Sequence, residues 1–152
     1  MPILRHWPGP AEKQARGSYG WQVNRRDLAT SGIVGLGGAI GALARYGLDV
    51  AFPWRSPGFP WATLTVNLTG SLVIGALLVV LFEGPPRSWW VRPFLAVGLV
   101  GGFTTFSAFA VETTRLLDDD AAMRAATYVV ASLGIGLIAV WLAATVTRRL
   151  VV

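Results

Sequence analysis

The sequence predicts an all-α integral membrane protein of four transmembrane helices, the third of them broken. Three observations predict it. Of the 152 residues, 53% are hydrophobic and only 14% charged, a balance outside the range of ordinary soluble domains. The apolar residues fall into four runs, at about 28–48, 61–82, 89–116 and 122–147, each long enough for the roughly 20 residues that a helix needs to cross a bilayer. The third run carries Gly98, Gly101, Gly102, Thr104 and Thr105 at its middle. A plain anchor would avoid them, because glycine lowers helix propensity and a broken helix leaves carbonyls without partners in lipid.

Residues 1–27 are polar, include three prolines and the basic residues Arg5, Lys13, Arg16, Arg25 and Arg26, and show neither a helical nor a strand period. They are expected to form a flexible tail ahead of a membrane domain at 28–149. Arg25-Arg26 before an apolar run superficially resembles an export signal, but the run is of full spanning length and lacks a cleavage site of small residues, so it is read as a retained first helix. That first span is rich in glycine and alanine, with Gly37 and Gly41 four apart, a spacing that lets a second helix approach closely. Arg45, near its end, lies within snorkelling reach of the interface and is a vestibule or interface candidate.

The connection at 49–60 holds Pro53, Pro57, Gly58 and Pro60 among Trp54, Phe59 and Trp61, as suits a loop at headgroup level. In the second span Thr63, Asn67, Gly70 and Ser71 share one face. An amide in lipid needs partners, so Asn67 either joins helices or faces a wet path. After the turn at 83–87, the third run is longer than a straight span needs, consistent with a break. Asp118, Asp119 and Asp120 form a short acidic turn that could cap the next helix. The fourth span carries Arg124, Tyr128, Ser132 and Gly136 at intervals of four, again a one-sided polar stripe.

Four spans place both termini on one side. The first tail, the 83–92 connection and the C-terminal tail hold Arg5, Lys13, Arg16, Arg25, Arg26, Arg87, Arg92, Arg148 and Arg149, against Arg45, Arg55, Arg115 and Arg124 opposite. The excess of positive charge favours cytoplasmic termini. The formal charge of +5 does not point to nucleic acid, because the arginines flank apolar spans rather than clustering with aromatics on a polar face. With no cysteine and a single histidine, His6, in the tail, thiolate chemistry and cysteine metal sites are excluded, and nothing suggests an enzyme.

Three segments together resemble the Fluc/CrcB fluoride channel family. They are the run from Gly37 to Tyr46, the run from Thr63 to Ser71, and Gly101-Gly102-Phe103-Thr104-Thr105-Phe106-Ser107-Ala108-Phe109 with Glu112. The resemblance covers all four spans and leaves out the first 27 or so residues. It implies a passive fluoride-selective channel of the cell membrane, a dual-topology dimer of antiparallel subunits with two narrow pathways. The broken third helices would cross at the centre, where backbone carbonyls of Gly101 and Thr104 would hold a structural sodium ion. Phe106 and Phe109 would be pore phenylalanines, Asn67 a pore-facing amide, and Thr63, Ser107, Tyr128 and Ser132 members of a polar track, with Glu112 near a vestibule. Ala108 stands where the family commonly has threonine, which removes a hydroxyl. Because the charge bias is uneven, the dimer partner implied is either an identical chain or a sister subunit.

Two other classes fit a four-span envelope. A small antiporter would need a carboxylate in mid-membrane to exchange protons for cargo, and none of Glu12, Asp27, Asp49, Glu83, Glu112 or Asp118 to Asp120 is expected mid-span. A non-conducting scaffold would use the polar stripes only to join helices.

Overall fold

The computed structural model describes residues 24–151; the expected tail at 1–27 therefore lies almost wholly outside the described residues. The first helix, α1 (Arg25–Ala51), begins a turn before the apolar run does. Its start is set by a capping box: Asn24 Oδ1 accepts from the N–H groups of Arg26 and Asp27 at 2.8 and 2.9 Å, and Asp27 Oδ2 accepts from Asn24 N–H at 3.1 Å. Such reciprocal bonds satisfy donors that a helix start otherwise leaves open.

The second helix, α2 (Trp61–Phe82), follows a proline-bounded loop. The third span opens as a π-helical segment, Pro93–Val100, and continues through one α-turn, α3 (Gly101–Phe103). After the break, α4 (Phe106–Asp118) completes that span, and α5 (Ala122–Val151) returns. Proline at the start of the π-helical segment costs nothing, since its missing N–H would have had no helical acceptor. All four spans are long and apolar enough to cross a membrane, so the chain is a multi-pass membrane protein with the expected broken third helix.

The acidic turn ends α4 rather than capping α5. Asp120, at φ 56°, donates to Leu117, while Ala121 donates to Leu116 at 2.8 Å. These bonds form a Schellman motif, with aspartate in the left-handed position that glycine usually takes.

The helices pack in two pairs, α2 along α5 and α1 along the third span. The second pair explains the glycines. A Cβ on Gly37 would sit 2.5 Å from the Phe94 carbonyl oxygen, one on Gly98 2.7 Å from that of Val34, and one on Gly102 2.8 Å from Gly38 Cα. Only glycine permits backbones this close. Gly98 and Gly102 thus serve packing, and the expectation that the glycines break the helix is corrected: the chain stays helical through Phe103. The buried core sits between α2, α4 and α5, where Leu64, Leu116, Ala125 and Tyr128 cluster and Trp54, Phe59 and Phe109 pack against them. Elsewhere large apolar side chains such as Leu36, Leu43, Val130 and Leu137 face outward, as a lipid or partner surface requires.

Candidate functional site

The break lies at two threonines. Thr104 has ψ 159° and Thr105 φ −146°, ψ 126°, both extended, a conformation that β-branched residues favour. Thr104 Oγ1 donates back to the Val100 carbonyl at 3.0 Å, which closes the upstream helix. Thr105 Oγ1 accepts from Ala108 N–H at 3.2 Å, the side-chain cap that starts α4. From α2, Asn67 binds the same residue twice: Nδ2 donates to the Thr105 carbonyl and Thr105 N–H donates to Oδ1, both at 2.9 Å. The polar residue in the second span is therefore a brace for the break in the third.

The break leaves two opposite electrostatic ends side by side. Upstream, carbonyls lose their helical donors. Thr105 N–H, which a continuing helix would bring to Gly101, goes to Asn67, and Ala108 N–H, which would go to Thr104, goes to the Thr105 hydroxyl. Downstream, the N–H groups of Phe106 and Ser107 begin α4, and a helix N-terminus favours anions.

An open groove of about 430 Å³ runs along this break, lined by Asn67, Gly101, Thr104, Phe106, Phe109 and Ser132 among others. Phe106 is 77% exposed within the chain, and Ser132 Oγ is buried without a hydrogen-bond partner. The rings form a ladder. Phe106 and Phe109 have centroids 5.8 Å apart, and Phe109 lies 5.2 Å from Tyr128.

At the far end of that ladder is a second polar cluster. Thr63 Oγ1 donates to Glu112 Oε1 and the Tyr128 hydroxyl donates to Oε2, each at 2.7 Å. All three side chains are buried. Glu112 lies toward the end of the third span rather than at its middle, and its side chain is buried against α2 and α5. Its burial is tolerated because both oxygens accept hydrogen bonds. The sequence held the signal only in scattered form, as a threonine, a carboxylate and a tyrosine on three different helices.

The groove thus gathers Asn67, Gly101, Thr104, Phe106, Phe109 and Ser132, and the adjoining cluster holds Thr63, Glu112 and Tyr128. Ser107 joins through its hydroxyl, 3.2 Å from that of Thr105. Arg45 stands apart, facing Asp49 on its own helix at 3.6 Å. Among the described residues, no group of histidine, cysteine, aspartate and glutamate could hold a metal, so any cation at the break would rely on backbone oxygens, ligands suited to hard cations.

Comparison with known proteins gives the family. Residues 32–144 match the family model described as "CrcB-like protein, Camphor Resistance (CrcB)". The chain is 41% identical over 142 residues to the Fluoride-specific ion channel FluC 1 of Streptomyces coelicolor, covering 93% of this chain and 90% of the relative. It is 40% identical over 120 residues to the Fluoride-specific ion channel FluC of Rhizobium meliloti, covering 78% and 96%. With that of Paramagnetospirillum magneticum it shares 42% over 130 residues, covering 80% and 100%. A match spanning all four helices and the break, joined by relatives at this identity, places the chain in the CrcB family.

Proposed function

We propose that the chain is a passive fluoride-selective ion channel that lets cytoplasmic fluoride leave the cell. The observation that carries this reading is the phenylalanine ladder that starts at the anion-favouring N-terminus of the helix after the break, in a chain whose relatives are named fluoride-specific ion channels.

Fluoride is small and strongly hydrated, so a selective path must offer hydrogen-bond donors without holding the ion too tightly. Neutral donors come from Asn67, Ser107 and Ser132, whereas Thr63 and Tyr128 spend their hydroxyl protons on Glu112 and would serve the ion only by turning away from that carboxylate. The positive edges of Phe106 and Phe109 solvate an anion weakly and keep water out. Asn67 keeps one amide hydrogen for this role, because Thr105 uses only one of its two.

The functional unit is a dimer of antiparallel subunits. Its support is the open groove, the outward Phe106 and the free space at Gly101, where an added Cβ would meet nothing within 4 Å. A facing subunit would close the groove into a pathway. The carbonyls of Gly101 and Thr104, deprived of helical donors, fit a structural sodium ion at the centre. That ion supplies positive charge that offsets the carbonyl dipoles and favours anions nearby. Arg45 and Glu112 lie toward the vestibule.

Charge also bears on the partner. Among the described residues, Arg25, Arg26, Arg87, Arg92, Arg148 and Arg149 share one end of the bundle with only Asp27 and Glu83, whereas Arg45, Arg55, Arg115 and Arg124 share the other with Asp49, Asp118, Asp119 and Asp120. This bias favours cytoplasmic termini. It also favours a sister chain of opposite bias over an identical copy as the antiparallel partner.

Reconstitution into liposomes, alone and with a candidate sister subunit, followed by efflux recorded with a fluoride electrode, tests the reading. Fluoride efflux without matching chloride efflux is expected, and its absence in both preparations would overturn the channel assignment.

A further inference from the structure

We propose that Asn67 and the Thr105 hydroxyl are positioning residues for the central cation: they create its carbonyl ligands by diverting the N–H groups that would otherwise occupy them. This inference rests on the cation site of the channel reading and adds how the site is made.

A broken helix does not by itself expose carbonyls for a ligand. Freed N–H and C=O groups in lipid find each other wherever the backbone allows, because each unsatisfied group costs several kcal/mol there. Two N–H groups compete for the relevant oxygens, that of Thr105 for the Gly101 carbonyl and that of Ala108 for the Thr104 carbonyl. Both are occupied by side chains: Thr105 N–H meets Asn67 Oδ1 at 2.9 Å, and Ala108 N–H meets Thr105 Oγ1 at 3.2 Å. The Asn67 amide also donates to the Thr105 carbonyl at 2.9 Å, so the peptide groups on both sides of Thr105 are fixed in orientation. Gly70, next on the same face of α2, completes the brace. A Cβ there would run into Thr104 Cγ2, so glycine admits the threonine against the helix.

This division of labour makes Asn67 the link between anion path and cation site. Its amide sets the carbonyls through Thr105, and the residue itself lines the groove with Gly101 and Thr104. A substitution that removes the acceptor but keeps the bulk, Asn67→Leu, releases Thr105 N–H to the Gly101 carbonyl. Thr105→Val keeps the shape and extended preference of threonine but releases Ala108 N–H to the Thr104 carbonyl, whereas Thr105→Ser retains the cap.

The test is a sodium titration of the melting temperature of the purified, assembled protein, with N-methylglucamine as the replacement cation. A ligand that binds only the native state raises the melting point as its concentration passes its dissociation constant. Wild type and Thr105→Ser should share one apparent sodium affinity. Asn67→Leu and Thr105→Val should each weaken it by about 10–100-fold, the usual effect of removing a group that orients a metal ligand. Unchanged sodium affinity in Thr105→Val, which preserves side-chain shape and leaves Asn67 unaltered, would overturn the inference, as would unchanged affinity in Asn67→Leu. If wild type itself shows no sodium dependence, the cation site fails and this inference with it. Sodium dependence in wild type that persists in the variants removes only the positioning role.

Discussion

The Tyr128 hydroxyl donates to Glu112 Oε2 at 2.7 Å, joining α5 to α4 across a carboxylate that is only 9% exposed. Thr63 of α2 supplies the other oxygen's donor at 2.7 Å. Three helices therefore meet on one acidic side chain. Removing a donor leaves a buried acceptor short of a partner, which costs about 1–3 kcal/mol. Tyr128→Phe and Thr63→Val are each expected to lower stability by that amount in thermal melts of the solubilised protein. The double variant should depart from additivity, because both bonds serve one carboxylate. Wild-type melting in both single variants would remove the cluster from the forces that hold α2, α4 and α5 together.

Phe106 and Phe109 are separable by stability although both belong to the proposed path. Phe106 is largely exposed within the chain, whereas Phe109 packs on Tyr128 and the core. Replacing either with isoleucine is expected to reduce fluoride efflux sharply. Only Phe109→Ile should also destabilise the subunit, by about 1 kcal/mol. Efflux at the wild-type rate in either variant would take that ring out of the pathway.

Adjacent glycines in the third span should behave oppositely. At Gly102 an added Cβ would stand 2.8 Å from Gly38 Cα on α1, while at Gly101 nothing lies within 4 Å. Gly102→Ala should force α1 from the third span at a cost of about 1–3 kcal/mol. Gly101→Ala should leave subunit folding intact and weaken assembly, read as a shift from dimer to monomer in size-exclusion chromatography in detergent. If Gly101→Ala assembles as wild type does, the partner does not approach at that face.

Glu83 and Arg148 tie the end of α2 to the end of α5 by two bonds of 2.7 and 2.6 Å. The hydrogen bond from Arg148, assisted by its charge and opposed by slight desolvation, holds the Glu83 carboxyl below its ordinary value. A depressed carboxyl stabilises the fold above its unfolded-state value, and that contribution is lost as pH falls through the folded-state value. Wild-type melting should therefore decline on acidification below the ordinary carboxylate range. Glu83→Gln should melt slightly lower at neutral pH and show a shallower acid decline; identical pH profiles would show that the exposed pair adds nothing.

Much of the architecture was legible because it is local. Spanning length, proline-rich connections and the paired threonines are each written within a few consecutive residues, and they mark four helices and a break in the third. The end of α1 at Asn24 was legible in principle from its Asn-x-x-Asp pattern, but hydropathy alone places the boundary at Leu28, where the apolar run begins. The role of the glycines was not legible. Glycine lowers helix propensity and also permits close approach, and only the position of α1 against Gly98 and Gly102 decides between those effects.

By itself, then, the sequence determined a four-span membrane protein with an interrupted third helix, because hydrophobic length and backbone preference act along the chain. Only the tertiary structure decided what the polar residues do. Asn67 and Thr105 are 38 residues apart, and Thr63 and Glu112 are 49 apart; whether such pairs meet depends on the rotation and separation of packed helices. Those rotations are set by glycine contacts and by the requirement that every polar group in lipid find a partner.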